Sequence, residues 1–212
     1  MNNAREFLKD LRVTAWRTAG ARFNAARRLK RRDWVATFSI AMFSAISVAL
    51  AVIQRVYSFE VGTAADNYVT TLAVCIGLFV VVISLIEWGS ANAVKADILY
   101  RNAETLNEFQ RKLEQMLAVA ADDSALEAND ITALREEYER IKRQCPYNHE
   151  PVDDNLFRAC HRLSPEFGDS TGKPKITRIH AGWVMFQSVI AAIWHFSFFW
   201  FVILALLWAT PW

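Results

Sequence analysis

The twenty residues Trp34–Ile53, WVATFSIAMFSAISVALAVI, contain no charged side chain. A helix of about 20 apolar residues crosses a hydrocarbon core of ~30 Å. Two further runs have the same character. Val69–Ile86, VTTLAVCIGLFVVVISLI, is uncharged over eighteen residues. Gly182–Trp208 runs for twenty-seven residues, with His195 as its single ionisable group. Each run is long enough to span. The first is not read as a cleaved signal peptide, although Ala49-Leu50-Ala51 faintly resembles a cleavage site. Its charged leader is 33 residues long, and the second run follows like the other arm of a hairpin.

Charge is distributed around these runs, and the distribution orients them. Residues 1–33 hold ten Lys/Arg against Glu6, Asp10 and Asp33. The connection from Gln54 to Asn67 holds one, Arg55, whereas residues 89–180 hold thirteen. The Lys/Arg bias of short flanking segments sets topology. The leader and the middle segment are therefore expected in the cytoplasm, with the short loop outside. Three cysteines, one inside an apolar run, do not make a disulfide framework.

The expected fold is all-α, an integral membrane protein. A basic amphipathic helix over 1–33 leads into a two-span hairpin over 34–88. A cytosolic helical hairpin and turn over 89–163, a linker over 164–180 and a C-terminal membrane segment over 181–212 complete it. In the leader, Phe7, Leu8, Leu11, Ala15, Ala19, Ala26 and Leu29 form an apolar stripe. This suits a helix lying on anionic membrane lipids, or one packed on the cytosolic helices. A basic helix alone is weak evidence for nucleic acid, and no direct nucleic-acid binding is expected.

Small residues recur along the spans: Thr37, Ala41, Ala45 and Ala49 in the first, and Thr70, Ala73, Gly77 and Ser84 in the second. Such spacing lets membrane helices approach closely. The faces are expected to pack the hairpin or neighbouring copies, or to line a narrow pore. Glu87 ends the second span and is expected to pair with Arg31 or Arg32, or to ring a pore mouth. His195, with Ser188 on its face, reads as a neutral histidine bonded between helices, or as a relay or gate.

No proline interrupts residues 87–121, so one helix is expected to continue from the second span. Ala96, Leu99, Ala103, Leu106, Gln110, Leu113, Leu117 and Ala120 keep a heptad register, with Gln110 its one polar position. A turn is expected over 122–130, with Asp130 as the next helix's N-cap. Ile131, Leu134, Tyr138, Ile141 and Cys145 repeat the register until Pro146 ends it. A coiled-coil packing of these positions is open to partners in the same chain or in another copy.

The stretch Cys145–Asp154, CPYNHEPVDD, concentrates reactive side chains. Cys145, His149, Cys160 and His161 are a candidate zinc set, and Cys145 with His149 a candidate thiol–imidazole pair. The structural alternative makes Pro146 a helix stop, with Asn148 and Asp153 bonding freed backbone groups. His149 then packs and bridges to a carboxylate or a carbonyl. This alternative is preferred, with neither a catalytic nor a metal site assigned. No phosphate loop, dinucleotide fingerprint or Ser-His-Asp order is present.

Taken together, ARFNAARRLKRRDW, the hairpin, YRNAETLNEFQRKLEQML and EEYERIKRQCPYNHEPVDD resemble the SLATT family of two-transmembrane effectors from bacterial conflict systems. The likeness covers about residues 5–163 and is carried most specifically by Tyr138, Ile141, Pro146, Asn148, His149 and Asp153. The third apolar run departs from a basic two-span plan and is similar to a branch found beside reverse transcriptases. The resemblance implies an antiviral, pore-forming membrane effector that oligomerises on a signal. It implies a cytosolic sensor or reverse transcriptase as partner, with no catalytic residue and no cofactor. The alternative function is a membrane-anchored scaffold whose helices recruit a cytosolic partner without forming a pore.

Overall fold

All five prolines lie at or after Pro146, so nothing in the first 145 residues forbids helix. The computed structural model, which describes residues 3–57, 60–119, 128–169 and 171–208, is accordingly built of long helices. These are α1 (Asn3–Val56), α2 (Ala64–Ser90), α3 (Asn92–Val119), α4 (Ala128–Arg143), α5 (Pro151–Cys160) and α6 (Arg178–Trp208). There is no strand among the described residues, only an isolated antiparallel bridge between Gly168 and Pro174. The all-α membrane fold expected from sequence is the observed one. The chain divides into two compact units, Met1–Leu29 with Ala93–Ile190 and Lys30–Asn92 with Ala191–Trp212.

In the first unit the leader is not a surface helix. Leu8, Leu11, Ala15 and Ala19 pack with Leu106, Phe109 and Leu113 of α3 and with Leu134, Tyr138 and Ile141 of α4. Ala25 and Ala26 meet Leu99 and Cys145. Of the two expectations for the apolar stripe, packing on the helices that follow the spans holds. The register Ala96, Leu99, Ala103, Leu106, Gln110 and Leu113 is buried, filled by the same chain, while Ala120 lies outside the described residues. Close approach depends on small side chains in α1. A Cβ built on Gly20 would sit 2.1 Å from ring carbons of Phe157.

Four local expectations are corrected. The turn over 122–130 falls mostly outside the described residues, but α4 begins at Ala128, so Asp130 is in its first turn and not at its N-cap. There a carboxylate still favours the positive end of the helix. The segment after Pro146, expected to be a turn, holds a further helix, α5, over Pro151–Cys160. Pro151 is preorganised for a helical first turn, and Asp153 accepts the Glu150 N–H at 2.9 Å. Residues 164–180 are not a loose linker throughout. Pro165–Phe167 form a short 3-10 turn, and Asp169 accepts the N–H groups of Thr171 and Lys173. Finally, one helix does not run on from the second span. Ala91, at φ 49° and ψ 40°, separates α2 from α3 by a single left-handed residue.

In the second unit bulky residues hold the helices together. Ala36, Phe43 and Leu50 of α1 pack with Val69, Leu72, Ile76 and Ile83 of α2 and with Phe196 and Ile203 of α6. These positions recur at i+7 along α1 and give it a narrow inward stripe. A buried hydroxyl in this core, Ser39, accepts the Trp200 indole N–H at 3.0 Å. Outward, the unit is apolar: Phe38, Val48, Val74, Leu78, Val81 and Leu85 are exposed. Only 22% of the most apolar window of either candidate span is buried within the protein. Polar side chains would cover that surface in water, and hydrocarbon suits it instead. Two helices are long and apolar enough to cross a membrane, or three if Arg178–Trp194 and Phe196–Trp208 count as one bent span.

Candidate functional site

The candidate site lies in the first unit, where α1 meets α5 and the turn before it. Its chemistry begins with arginines on α1. Arg17 donates Nε to Asp154 Oδ1 at 2.6 Å and Nη2 to Oδ2 at 2.5 Å. Arg28 does the same to Asp153, both bonds at 3.0 Å, and reaches Glu150 at 3.0 Å. Arg12 bridges Glu114 and Glu166 at 3.1 and 2.8 Å. The consecutive carboxylates of α5 are thus clamped by two fork-shaped guanidinium pairs, the strongest ion-pair geometry available to side chains.

Asp153 is the centre of this clamp and is 1% exposed. Its carboxylate takes Arg28 and the Glu150 N–H, and its carbonyl accepts Asn24 Nδ2 at 3.0 Å. The expected bond to a freed backbone N–H is present, but the long-range pair was not legible. Arg28 is 125 residues upstream, and nothing in the sequence links the two. The pairing sets the electrostatics. Burial works to raise the Asp154 carboxyl, but Arg17 overcomes it and holds the group below the usual carboxylate range. Burial likewise opposes the charge on Arg28, and Asp153 more than restores it.

The other motif residues sit around the same turn. Tyr138 is buried, its hydroxyl 3.0 Å from Thr18 Oγ1. The Ile141 carbonyl, near the end of α4, accepts Asn102 Nδ2 at 2.7 Å. Pro146 follows that end, and Asn148 Oδ1 accepts the His149 N–H at 3.0 Å. His149 departs from expectation, because its Nδ1 is buried and has no hydrogen-bond partner, carboxylate or carbonyl. Burial keeps it neutral by lowering its pKa, against the pull of Asp154. It stands in the walls of two open clefts. One, of about 610 Å³, runs past Arg17, Asp154, Arg158 and Lys175; the other, of about 550 Å³, runs past Arg22 and Lys142.

The candidate metal set is dispersed. Cys145 is buried in the α1–α3 core and donates to the Tyr147 carbonyl at 3.2 Å, while Cys160 is exposed. His161 packs in an aromatic cluster with Trp16 and Phe157. No group of three or more possible metal ligands occurs among the described residues.

In the second unit Glu87 accepts Asn92 Nδ2 at 2.8 Å and Ser90 Oγ at 3.3 Å, and pairs with Arg32 at 3.5 Å. Of the two expected partners, Arg32 is therefore the one found, and Arg31 is exposed. The small-residue faces behave differently from each other. Ala73 packs against the core of the unit, and Ser47 donates to its carbonyl at 3.4 Å. Gly77 and Ser84 are half-buried. A Cβ on Gly77 would meet nothing within 4 Å, so this glycine is not a point of close approach within the chain. Thr37, Ala41, Ala45 and Ala49 all face outward and do not pack the hairpin. The His195 side chain lies outside the description; Ser188 donates to its own helix at Met185.

An apolar helical unit with an uncovered surface, joined to a polar helical unit with a buried ion-pair clamp, defines an all-helical membrane protein. The chain belongs to the SMODS and SLOG-associating 2TM effector domain family 5, whose model matches residues 4–210. The match takes in the third apolar helix, beyond the residues 5–163 on which the resemblance rested. No curated protein and no solved structure matches the chain.

Proposed function

We propose that this chain is a pore-forming effector of a bacterial antiviral system, which oligomerises in the inner membrane when its cytoplasmic unit receives a signal. The observation that carries the reading is the face Thr37, Ala41, Ala45 and Ala49, which is exposed while bulkier residues hold the chain's own spans together. Small residues at this spacing favour helix–helix approach in lipid, and here the approaching helix belongs to another copy. Membership of a two-transmembrane effector family supports the same reading. The Lys/Arg distribution supports a cytoplasmic N-terminus and cytoplasmic residues 89–180. A sensor or a reverse transcriptase is the partner in this scheme, and the effector acts without chemical turnover. The trigger must favour the open packing over the closed one, since only a differential interaction shifts such an equilibrium.

Expression together with the trigger is expected to depolarise bacteria and arrest growth. Purified protein in liposomes is expected to release a trapped dye, and Ala45→Leu or Gly77→Leu to abolish release. Liposomes that stay sealed under the full-length protein and its trigger would leave the scaffold reading in its place.

A further inference from the structure

Arg22 breaks the pattern of its own helix. It is 3% exposed, more buried than the paired arginines on either side, yet it faces no carboxylate. It donates to Asn102 Oδ1 and, at 3.4 Å, to the Lys142 carbonyl, and its Nε is buried without a partner. Arg28 uses the equivalent Nε–Nη2 edge to grip Asp153 at 3.0 Å through both bonds. A buried charge without a counterion is costly, and burial here works against the protonated form of Arg22. The carbonyls at the negative end of α4 compensate only part of it.

The surroundings of Arg22 point to what completes the balance. The cleft of about 550 Å³ that it lines is walled also by Lys142, Arg143, Tyr138, Tyr147 and His149, and by no Asp or Glu. The Arg17 cleft, by contrast, includes Asp154 and Glu166. Lys142 pairs with Glu139, outside the cleft wall, at 2.9 Å and stands 5.3 Å from the centre of the Tyr138 ring, and exposed Arg143 is tethered to the Glu139 carbonyl at 3.3 Å. The cleft is therefore cationic, edged by aromatic rings, and within the size range of small-molecule sites. We propose that it binds a small phosphate-bearing anion, whose oxygens take the charge of Arg22, Lys142 and Arg143. The site belongs to the first unit alone and does not depend on whether the membrane spans form a pore.

The test is calorimetric titration of the full-length chain in detergent micelles with inorganic pyrophosphate as probe. Saturable binding is expected. Arg22→Gln, which keeps hydrogen-bonding capacity and removes charge, is expected to weaken it by about tenfold, the loss of one charge-assisted contact. Arg143→Gln, at an exposed position that leaves folding intact, is expected to weaken it by about threefold and decides the question if Arg22→Gln does not fold. Arg140→Gln, on the same helix but outside this cleft, is expected to bind like the parent. Absence of saturable binding, or equal weakening by Arg140→Gln and Arg143→Gln, would overturn the proposal. Competition then distinguishes the sources of the phosphate. Displacement by glycerol 3-phosphate alone indicates a soluble ligand, and displacement by vesicles of phosphatidic acid in phosphatidylcholine indicates a lipid headgroup.

Discussion

Helix α1 treats its small residues in two opposite ways. Between residues 15 and 26, Ala15, Ala19, Ala21, Ala25 and Ala26 are buried and Gly20 lies against Phe157. Between residues 37 and 49, Thr37, Ala41, Ala45 and Ala49 face outward, and Ala36, Phe43 and Leu50 do the packing. In the first unit small side chains bring backbones together around a core sealed by ion pairs. In the second the chain packs on its large side chains and leaves its small ones uncovered. A repeat of small residues therefore identifies a face built for close approach without saying whose helix approaches. Only the burial pattern separates contact within the chain from contact that remains to be made.

Substitutions test that contrast directly, and the largest effect is expected at the ion-pair clamp. Asp153→Ala leaves the mostly buried Arg28 with only the exposed Glu150 as partner, and is expected to destabilise the first unit by about 3 kcal/mol. Hydrogen exchange of the α5 amides in the full-length protein would register this as lost protection. Next comes Gly20→Ala, which forces a methyl into the Phe157 ring and is expected to cost about 1–3 kcal/mol in thermal or denaturant unfolding. Unchanged stability there would remove close approach as the reason for the buried small residues. On the other face, Ala45→Val is expected to change unfolding by no more than ~0.5 kcal/mol, because its side chain touches no packed core. A large loss would mean that the outward face supports the monomer after all.

Acid should act on the two units unequally. His149 and Asp154 both have folded-state pKa values below their ordinary 6.5 and 3.8, so each is less protonated in the folded chain than in the unfolded one. Their contributions are complete above those ordinary values and are lost as pH falls through the lowered folded ones. The first unit should therefore weaken in two steps, beginning below about pH 6.5 and resuming below about pH 4.5, where Glu166, held low by its bond from Arg12, precedes Asp154. His149→Gln is expected to erase the first step in a pH series of exchange protection while α2 remains unaffected. The smallest expected effect is at Ala91. A left-handed alanine is strained by roughly 1 kcal/mol, which Ala91→Gly relieves while adding backbone freedom to the unfolded chain. A net gain of a few tenths of a kcal/mol in unfolding measurements is expected.

Much of this architecture is periodic and was therefore legible. The uncharged runs gave the spans, and the positions from Ala96 to Leu113 gave the inward face of α3. The leader's stripe was visible too, but its partner was not, since the same stripe suits a lipid surface and a helical core. The helix α5 carried a readable start, Glu150-Pro151 followed by Asp153, which the density of reactive side chains obscured. The clamp was illegible for a different reason. A guanidinium and a carboxylate separated by 125 residues leave no local pattern, and Arg22 differs from Arg28 only in what the fold puts beside it. His149 shows the same limit, because an unpartnered nitrogen is a property of its surroundings.

The separation of Arg28 from Asp153 also has a meaning in time. Residues 1–29 are made before 30–92, and the whole of 30–92 is made before the rest of their unit begins to appear. At about 5–20 residues per second, Arg28 waits on the order of 6–25 seconds for its carboxylate. Through that interval the nascent leader is a polycation without its counter-charges, emerging just ahead of the apolar segment that follows it. Only afterwards does α5 arrive to pair Arg17 and Arg28, so charges that stand open through most of synthesis are the ones that lock the first unit late.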